Sequence, residues 1–190
     1  MSPLRSARRL TALLLVPLLL TACTAFPATV GRVPPTELLF AMVTPDNTCA
    51  VYAGGSNDYP ALDARQAGII WGNSLHGTAD SLPAWELLQD YAVVFSLREL
   101  PAEYAVFLCA SSRDTATLAT LCLNRIAALR AYWEASPGEN APQALAALDA
   151  AAVRVCGRYV LCAVHPDAES LLNAAQKALG AASYRSCATQ

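Results

Sequence analysis

From Val153 to Val164 the chain reads Val-Arg-Val-Cys-Gly-Arg-Tyr-Val-Leu-Cys-Ala-Val, and the Gly157-Arg158 pair at its centre constrains the fold more than any other feature. A two-residue hairpin turn with glycine first has the type II′ pattern, because glycine readily adopts the left-handed backbone required there. Such a turn pairs Val155 with Val160 and Val153 with Cys162. Alternation then sends Val153, Val155, Val160, Cys162 and Val164 to one face. Arg154, Cys156, Tyr159 and Leu161 go to the other. Cys156 and Cys162 therefore point apart and cannot bond to each other.

The remaining elements fall around this hairpin. Tyr91–Leu97 and Glu103–Ala110 read as two further strands, joined through Pro101. Asp114 stands where a helix cap belongs, before a helix over Thr115–Ala135. Its apolar stripe is Leu118, Leu121, Cys122, Ile126, Leu129, Tyr132 and Trp133, at three- and four-residue steps. Pro137-Gly138 ends it, and a shorter helix spans Pro142–Leu148. A last helix over Pro166–Ala182 presents Leu171, Leu172, Ala175, Ala178 and Leu179. Upstream, Thr36 can cap a helix starting at Glu37, and Cys49–Tyr52 reads as a short strand. Leu82–Asp90 reads as a short helix with Pro83 in its first turn. Between them, Gly54–Leu82 is rich in turn residues, with a helix placed over Ala61–Trp71. The order strand-strand-helix, twice, predicts an α+β fold: an antiparallel sheet of about four strands in two hairpins, with helices packed on one face. Cys122 and Cys162 belong to the layer that helix and sheet share, as small buried hydrophobes.

The amino terminus has a different character. Arg5, Arg8 and Arg9 precede the apolar run Leu10–Leu20, which is shorter than the roughly 20 residues of a stable membrane-crossing helix and contains Pro17. That is the pattern of a secretion signal. The next residues, Leu20-Thr21-Ala22-Cys23, resemble the lipobox of bacterial lipoproteins. The resemblance implies that the Cys23 thiol receives a diacylglyceryl group and that cleavage falls just before it. Together with further acylation of the palmitate type, this would hold the chain to a membrane by more than one acyl chain. The organisation expected is a signal peptide at 1–22, a Pro-containing tether at 23–35, one α+β domain at 36–183 and a tail at 184–190. The mature chain would keep 168 of the 190 residues, sufficient for one domain with its own core.

Composition narrows the partners. The chain has 13 basic and 15 acidic residues. Without Arg5, Arg8 and Arg9 the balance is 10 against 15, a net charge of −5. That sign argues against nucleic acid, which selects basic surfaces. It supplies no attraction to anionic lipid beyond the anchor. Six cysteines follow Cys23: Cys49, Cys109, Cys122, Cys156, Cys162 and Cys187. In an exported chain this even number invites disulfides, with 15 possible pairings. None forms a C-x-x-C pair.

The stretch from Trp85 to Leu179, with a core at 85–180, resembles the bacterial domain of unknown function 4358. The matching residues are Asp90-Tyr-Ala-Val93, Ala102-Glu-Tyr-Ala-Val-Phe107, Arg125-Ile126, Ala152-Val153 and Gly157-Arg-Tyr-Val-Leu161. That family is typically met as lipoproteins of Gram-positive bacteria. The resemblance implies a fold and an extracytoplasmic, lipid-anchored location, and it brings no activity.

Three function classes follow. The first is a non-catalytic binding or interaction module, anchored to membrane lipid through Cys23 at the extracytoplasmic face, with a protein, peptide or glycan partner and no cofactor. The second is a hydrolase of cell-wall or extracellular material, with Ser74 as nucleophile, His76 as base and Asp80 as orienting carboxylate. No G-x-S-x-G elbow accompanies them. The third is a thiol redox protein. His165 with Asp167 and Glu169 offers metal-ligand types, although a histidine ending a strand before a helix accounts for it more simply. Asp58, Asp63 and Asp80 lack calcium-loop spacing. Tyr52, Tyr59, Trp71 and Trp85 could form an aromatic platform, with burial as local core the competing account.

Overall fold

The computed structural model describes residues 32–45, 48–62, 65, 85–96, 101–135 and 138–187, with the backbone alone described at 85 and 182–187. Five strands form one antiparallel sheet: β1 (Cys49–Ala53), β2 (Leu88–Ser96), β3 (Glu103–Cys109), β4 (Ala152–Cys156) and β5 (Tyr159–Val164). Their spatial order is β1-β2-β3-β5-β4. Four helices accompany them among the described residues: α1 (Pro35–Met42), α2 (Thr115–Ala135), α3 (Ala141–Asp149) and α4 (Ala168–Cys187). The α+β class and the two antiparallel hairpins are those read from the sequence.

The central hairpin forms in the register that its turn dictates. Val155 pairs with Val160 and Val153 with Cys162, while Gly157 takes φ +61°. The β2–β3 hairpin runs from Phe95 opposite Glu103 to Leu88 opposite Cys109, with an irregularity between Leu88 and Asp90. That pairing explains a difference from the sequence reading. Leu88, Gln89 and Asp90 were expected in a helix, but Leu88 and Asp90 pair with β3 around an irregularity at Gln89, and only Trp85–Leu87 winds into a 3-10 turn.

Two further differences concern the layers. The sheet gains β1 as a fifth strand, paired along β2 from Cys49 opposite Ser96 to Ala53 opposite Ala92. Helices also cover both faces rather than one. The cause lies in β3 and β5, where Tyr104–Cys109 and Tyr159–Val164 are buried without interruption. A strand buried on both sides needs cover on both sides. On one face, Leu38, Leu39 and Met42 of α1 and Leu172, Ala175 and Leu179 of α4 pack on Ala92, Val94, Val106, Leu108 and Leu161. On the other, Leu118 and Cys122 of α2 pack on Val93, Phe95, Ala105, Phe107, Val160 and Cys162. Leu129 of α2, Leu148 of α3 and Val164 close a smaller cluster at one end. Each fully buried leucine contributes roughly 1.5–3 kcal/mol by leaving water.

Helix ends also shift. Pro34 stands at the cap of α1 and Pro35 at its first position, so Thr36 lies inside the helix instead of capping it. Proline suits that first turn because its missing N–H would have had no helical partner. α4 starts two residues later than read and runs through Cys187, so most of the expected tail is helical. Among the described residues no helix is long and apolar enough to cross a membrane. The signal peptide, Cys23 and most of the tether lie outside the described residues. So do Asp63, Trp71, Ser74, His76 and Asp80.

Candidate functional site at the two ends of the sheet

The chain enters the domain through a double hydrogen bond. Tyr159, the first residue of β5, has its ring buried among α1, α4 and the sheet. The Val33 N–H donates to its Oη at 2.9 Å, and the hydroxyl donates to the Val33 carbonyl at 2.8 Å. Both backbone groups of a residue only 2% exposed are thereby satisfied. Burial raises the Tyr159 phenol above its ordinary value, and so it remains the neutral donor this arrangement needs. Beside it, Arg32 pairs with Asp90 at 3.2 Å, and Asp90 Oδ1 accepts the Tyr91 N–H at 2.8 Å.

A second tyrosine repeats the device on the other face. The Leu62 N–H donates to Tyr91 Oη at 2.6 Å, and the hydroxyl donates to the Leu62 carbonyl at 2.9 Å. The ring of Tyr91 leaves no room above Gly54, where an added Cβ would come within 2.6 Å of it. Each face of the sheet thus has one tyrosine that fastens an incoming segment by its backbone.

The opposite end of the sheet carries an open concavity between Asp149–Ala152 and Pro166–Ser170. Its acidic groups are partly engaged. Arg154 reaches Glu169 at 2.5 Å and donates to Asn173 at 2.7 Å and to Gln176 at 2.8 Å. Arg130 holds Asp149 at 2.5 Å. His165 ends β5 and turns the chain into α4: its Nδ1 accepts the Asp167 N–H at 3.0 Å and its carbonyl accepts the Ala168 N–H at 3.1 Å. With Glu169 directed to Arg154, these three residues do not converge as a ligand set. No metal-sized group of three His, Cys, Asp or Glu side chains occurs among the described residues.

The α2 face holds Cys122 and Cys162 in the shared layer where the sequence places them, together with a buried ion pair that the sequence reading did not anticipate. Arg125, 6% exposed, makes a bidentate pair with Glu103 through Nε at 3.0 Å and Nη2 at 2.5 Å. One turn earlier on α2, Cys122 hydrogen-bonds Cys162 of β5, and that bond together with burial raises its thiol well above the ordinary value. Burial, with a smaller push from Asp114 against a pull from Arg158, raises Cys109 to about 11. A cavity of about 20 Å³ lies among Phe95, Tyr104, Cys122, Arg125 and Cys162, with room for about one water. Thiols held protonated in this way are weak nucleophiles.

The aromatic platform does not form from its described members. Tyr52 packs edge-on to Phe95 at 6.3 Å on the α2 face, whereas Tyr59 packs on Phe40 at 5.5 Å on the α1 face. Both serve as local core. Comparison with protein families, curated proteins and solved structures finds no match to this chain.

Proposed function

We propose that the protein is a lipoprotein anchored by acylated Cys23 at the extracytoplasmic face of a membrane, where its α+β domain serves as a non-catalytic binding or interaction module. The observation that carries this reading is the run Leu20-Thr21-Ala22-Cys23 directly after a short apolar core with a basic head.

The geometry suits a tethered body. Ten residues lead from Cys23 to the clamped Val33, a reach of at most about 35 Å. The clamp fixes the tether's departure at the β5 end that begins with Tyr159. The concavity at Asp149–Ala152 and Pro166–Ser170 lies at the other end, where a protein, peptide or glycan has access away from the lipid. The hydrolase reading rests on Ser74 and His76, outside the described residues, and no observed contact favours it.

The test is metabolic labelling of the native host with an alkyne fatty acid, followed by membrane fractionation. The wild-type chain should carry label and sediment with membranes, and Cys23→Ala should lose both properties. An unmodified amino terminus elsewhere, on protein released into the medium, overturns the reading.

A further inference from the structure

We propose that the outer edge of β4 receives an extended peptide segment of a partner protein as a further antiparallel strand. The segment carries apolar residues in alternation and a lysine or arginine where it leaves the sheet beside Ala152. The inference rests on the binding-module reading above and narrows its partner to a peptide; it does not depend on the lipid anchor.

Register decides which backbone groups β4 can offer. The Cys109 N–H donates to the Arg158 carbonyl at 2.9 Å, and hydrogen-bonded pairs alternate along an antiparallel ladder. Phe107–Val160 and Ala105–Cys162 are therefore the pairs that bond β5 to β3. Tyr159, Leu161 and Ala163 are left to bond β4, through Cys156, Arg154 and Ala152. Val153 and Val155 stand between these, so their N–H and C=O groups point away from the sheet. β4 is an edge strand, and among the described residues these four groups make no hydrogen bond. The run ends at Ala151, whose N–H already donates to the Leu148 carbonyl at 3.3 Å. The other edge is partly closed by its own loop, since the Ala53 N–H of β1 donates to the Pro60 carbonyl at 3.0 Å.

Side chains decide what fits. Residues directly opposite Val153 and Val155 share the α2 face with them, and both valines are only half-buried there. Leu123 lies two turns of α2 from Arg130, which holds Asp149 just ahead of β4. Leu123 thus stands on the flank of α2 turned toward this edge. It is 55% exposed, the one large hydrophobic side chain among the described residues left mostly in water. Apolar side chains opposite the two valines extend the core toward it. On the other face Arg154 engages Glu169, Asn173 and Gln176, so polar residues belong at the alternate positions.

Charge sets the end. Running antiparallel to β4, the segment's carboxyl-terminal side passes Ala152, which lines the concavity. Four carboxylates, Glu134, Asp149, Asp167 and Glu169, gather at that end with two guanidiniums, Arg130 and Arg154. The formal excess of two negative charges selects a cation. A second copy of β4 fits less well. A two-fold pair centred on Arg154 sets it against its own counterpart, and residues 23–190 carry a net charge of −5 in each copy.

The test peptide is acetyl-Thr-Val-Thr-Val-Thr-Lys-amide, titrated into isotope-labelled full-length protein in detergent micelles. Amide exchange at Val153 and Val155 is read by NMR, and the peptide should slow both at least about tenfold. Methylating the nitrogens of the peptide's two valines, which face β4, should weaken binding at least about tenfold. Methylating the central threonine nitrogen, which faces away, should change it less than about twofold. Replacing the lysine by glutamate should weaken binding about fivefold. Absent protection of both amides at millimolar peptide, or equal losses from the two methylations, overturns the proposal. Photo-crosslinking in the native host separates this failure from that of the module reading. Benzoylphenylalanine replaces Leu123 in one strain and the exposed Lys177 of α4 in another. Adducts with a partner protein are expected from position 123. Adducts from position 177 alone overturn the edge site and leave a binding module, and adducts joining two copies of this chain at position 123 overturn the peptide assignment. Adducts from neither position, with no peptide bound, overturn both readings.

Discussion

Arg125 sits where a leucine would be expected. Leu118, Cys122, Arg125 and Leu129 fall on one helical stripe at steps of four, three and four, and all four are buried. A guanidinium there needs a carboxylate, and Glu103 supplies one in a fork. Arg125→Ala should cost about 3 kcal/mol or more in urea unfolding, since it leaves Glu103 half-buried without its counter-ion. Arg130→Ala, which removes a more exposed pair, should cost at most about 1 kcal/mol. Equal costs would refute this ranking. The Arg125 signal was present in the sequence as a cation on an apolar stripe. What could not be read was the partner, because Glu103 lies 22 residues away in another element. The Cys109 thiol gives a pH prediction. Its folded value is raised to about 11 from 9.0. Above pH 9 the unfolded chain sheds this proton while the folded chain keeps it, so stability is full below pH 9 and falls between 9 and 11. Tyr104 and Tyr159, also raised by burial, act in the same direction. Melting midpoints from pH 8 to 11 should therefore drop less steeply in Cys109→Ala than in wild type, and identical slopes would reject the assignment.

Among the elements, the β4–β5 hairpin and α2 were legible nearly to the residue, because each is specified by local chemistry. A glycine at a left-handed position fixes the hairpin register, and an apolar stripe at three- and four-residue steps fixes the helix. Gly157 has open space around its Cα, so Gly157→Ala meets no clash and its cost isolates the backbone term at φ +61°. We expect a loss of about 1–2 kcal/mol in urea unfolding, and an unchanged midpoint would show that the turn relaxes. The elements misread are those whose identity depends on a neighbour. Leu88–Asp90 carries helix-compatible residues and becomes strand because β3 offers it partners. Strands β3 and β5 are almost continuously apolar from Tyr104 to Cys109 and from Tyr159 to Val164, a pattern that calls for cover on both faces, and α1, α2 and α4 supply it. The run does not reveal which segment provides the second layer, here Pro35–Met42 together with α4.

For the whole molecule, neither end of the candidate site was legible in the sequence. The clamp joins Val33 to Tyr159 across 126 residues, and nothing in either residue's sequence neighbourhood announces the contact. Tyr159→Phe should leave both buried Val33 backbone groups unsatisfied, at a cost of about 1–3 kcal/mol. It should also speed proteolytic cleavage within residues 24–35, read by mass spectrometry of timed digests; unchanged cleavage would show that α1 alone retains the segment. The position of this clamp has a mechanical consequence. In the anchored form proposed above, a pull between the lipid and a molecule held at the far concavity would enter at the start of β5 and leave near its end, along the strand axis. Tension applied that way runs along the β5 backbone, flanked on both sides by ladder bonds to β3 and β4, and does not peel the sheet open from an edge.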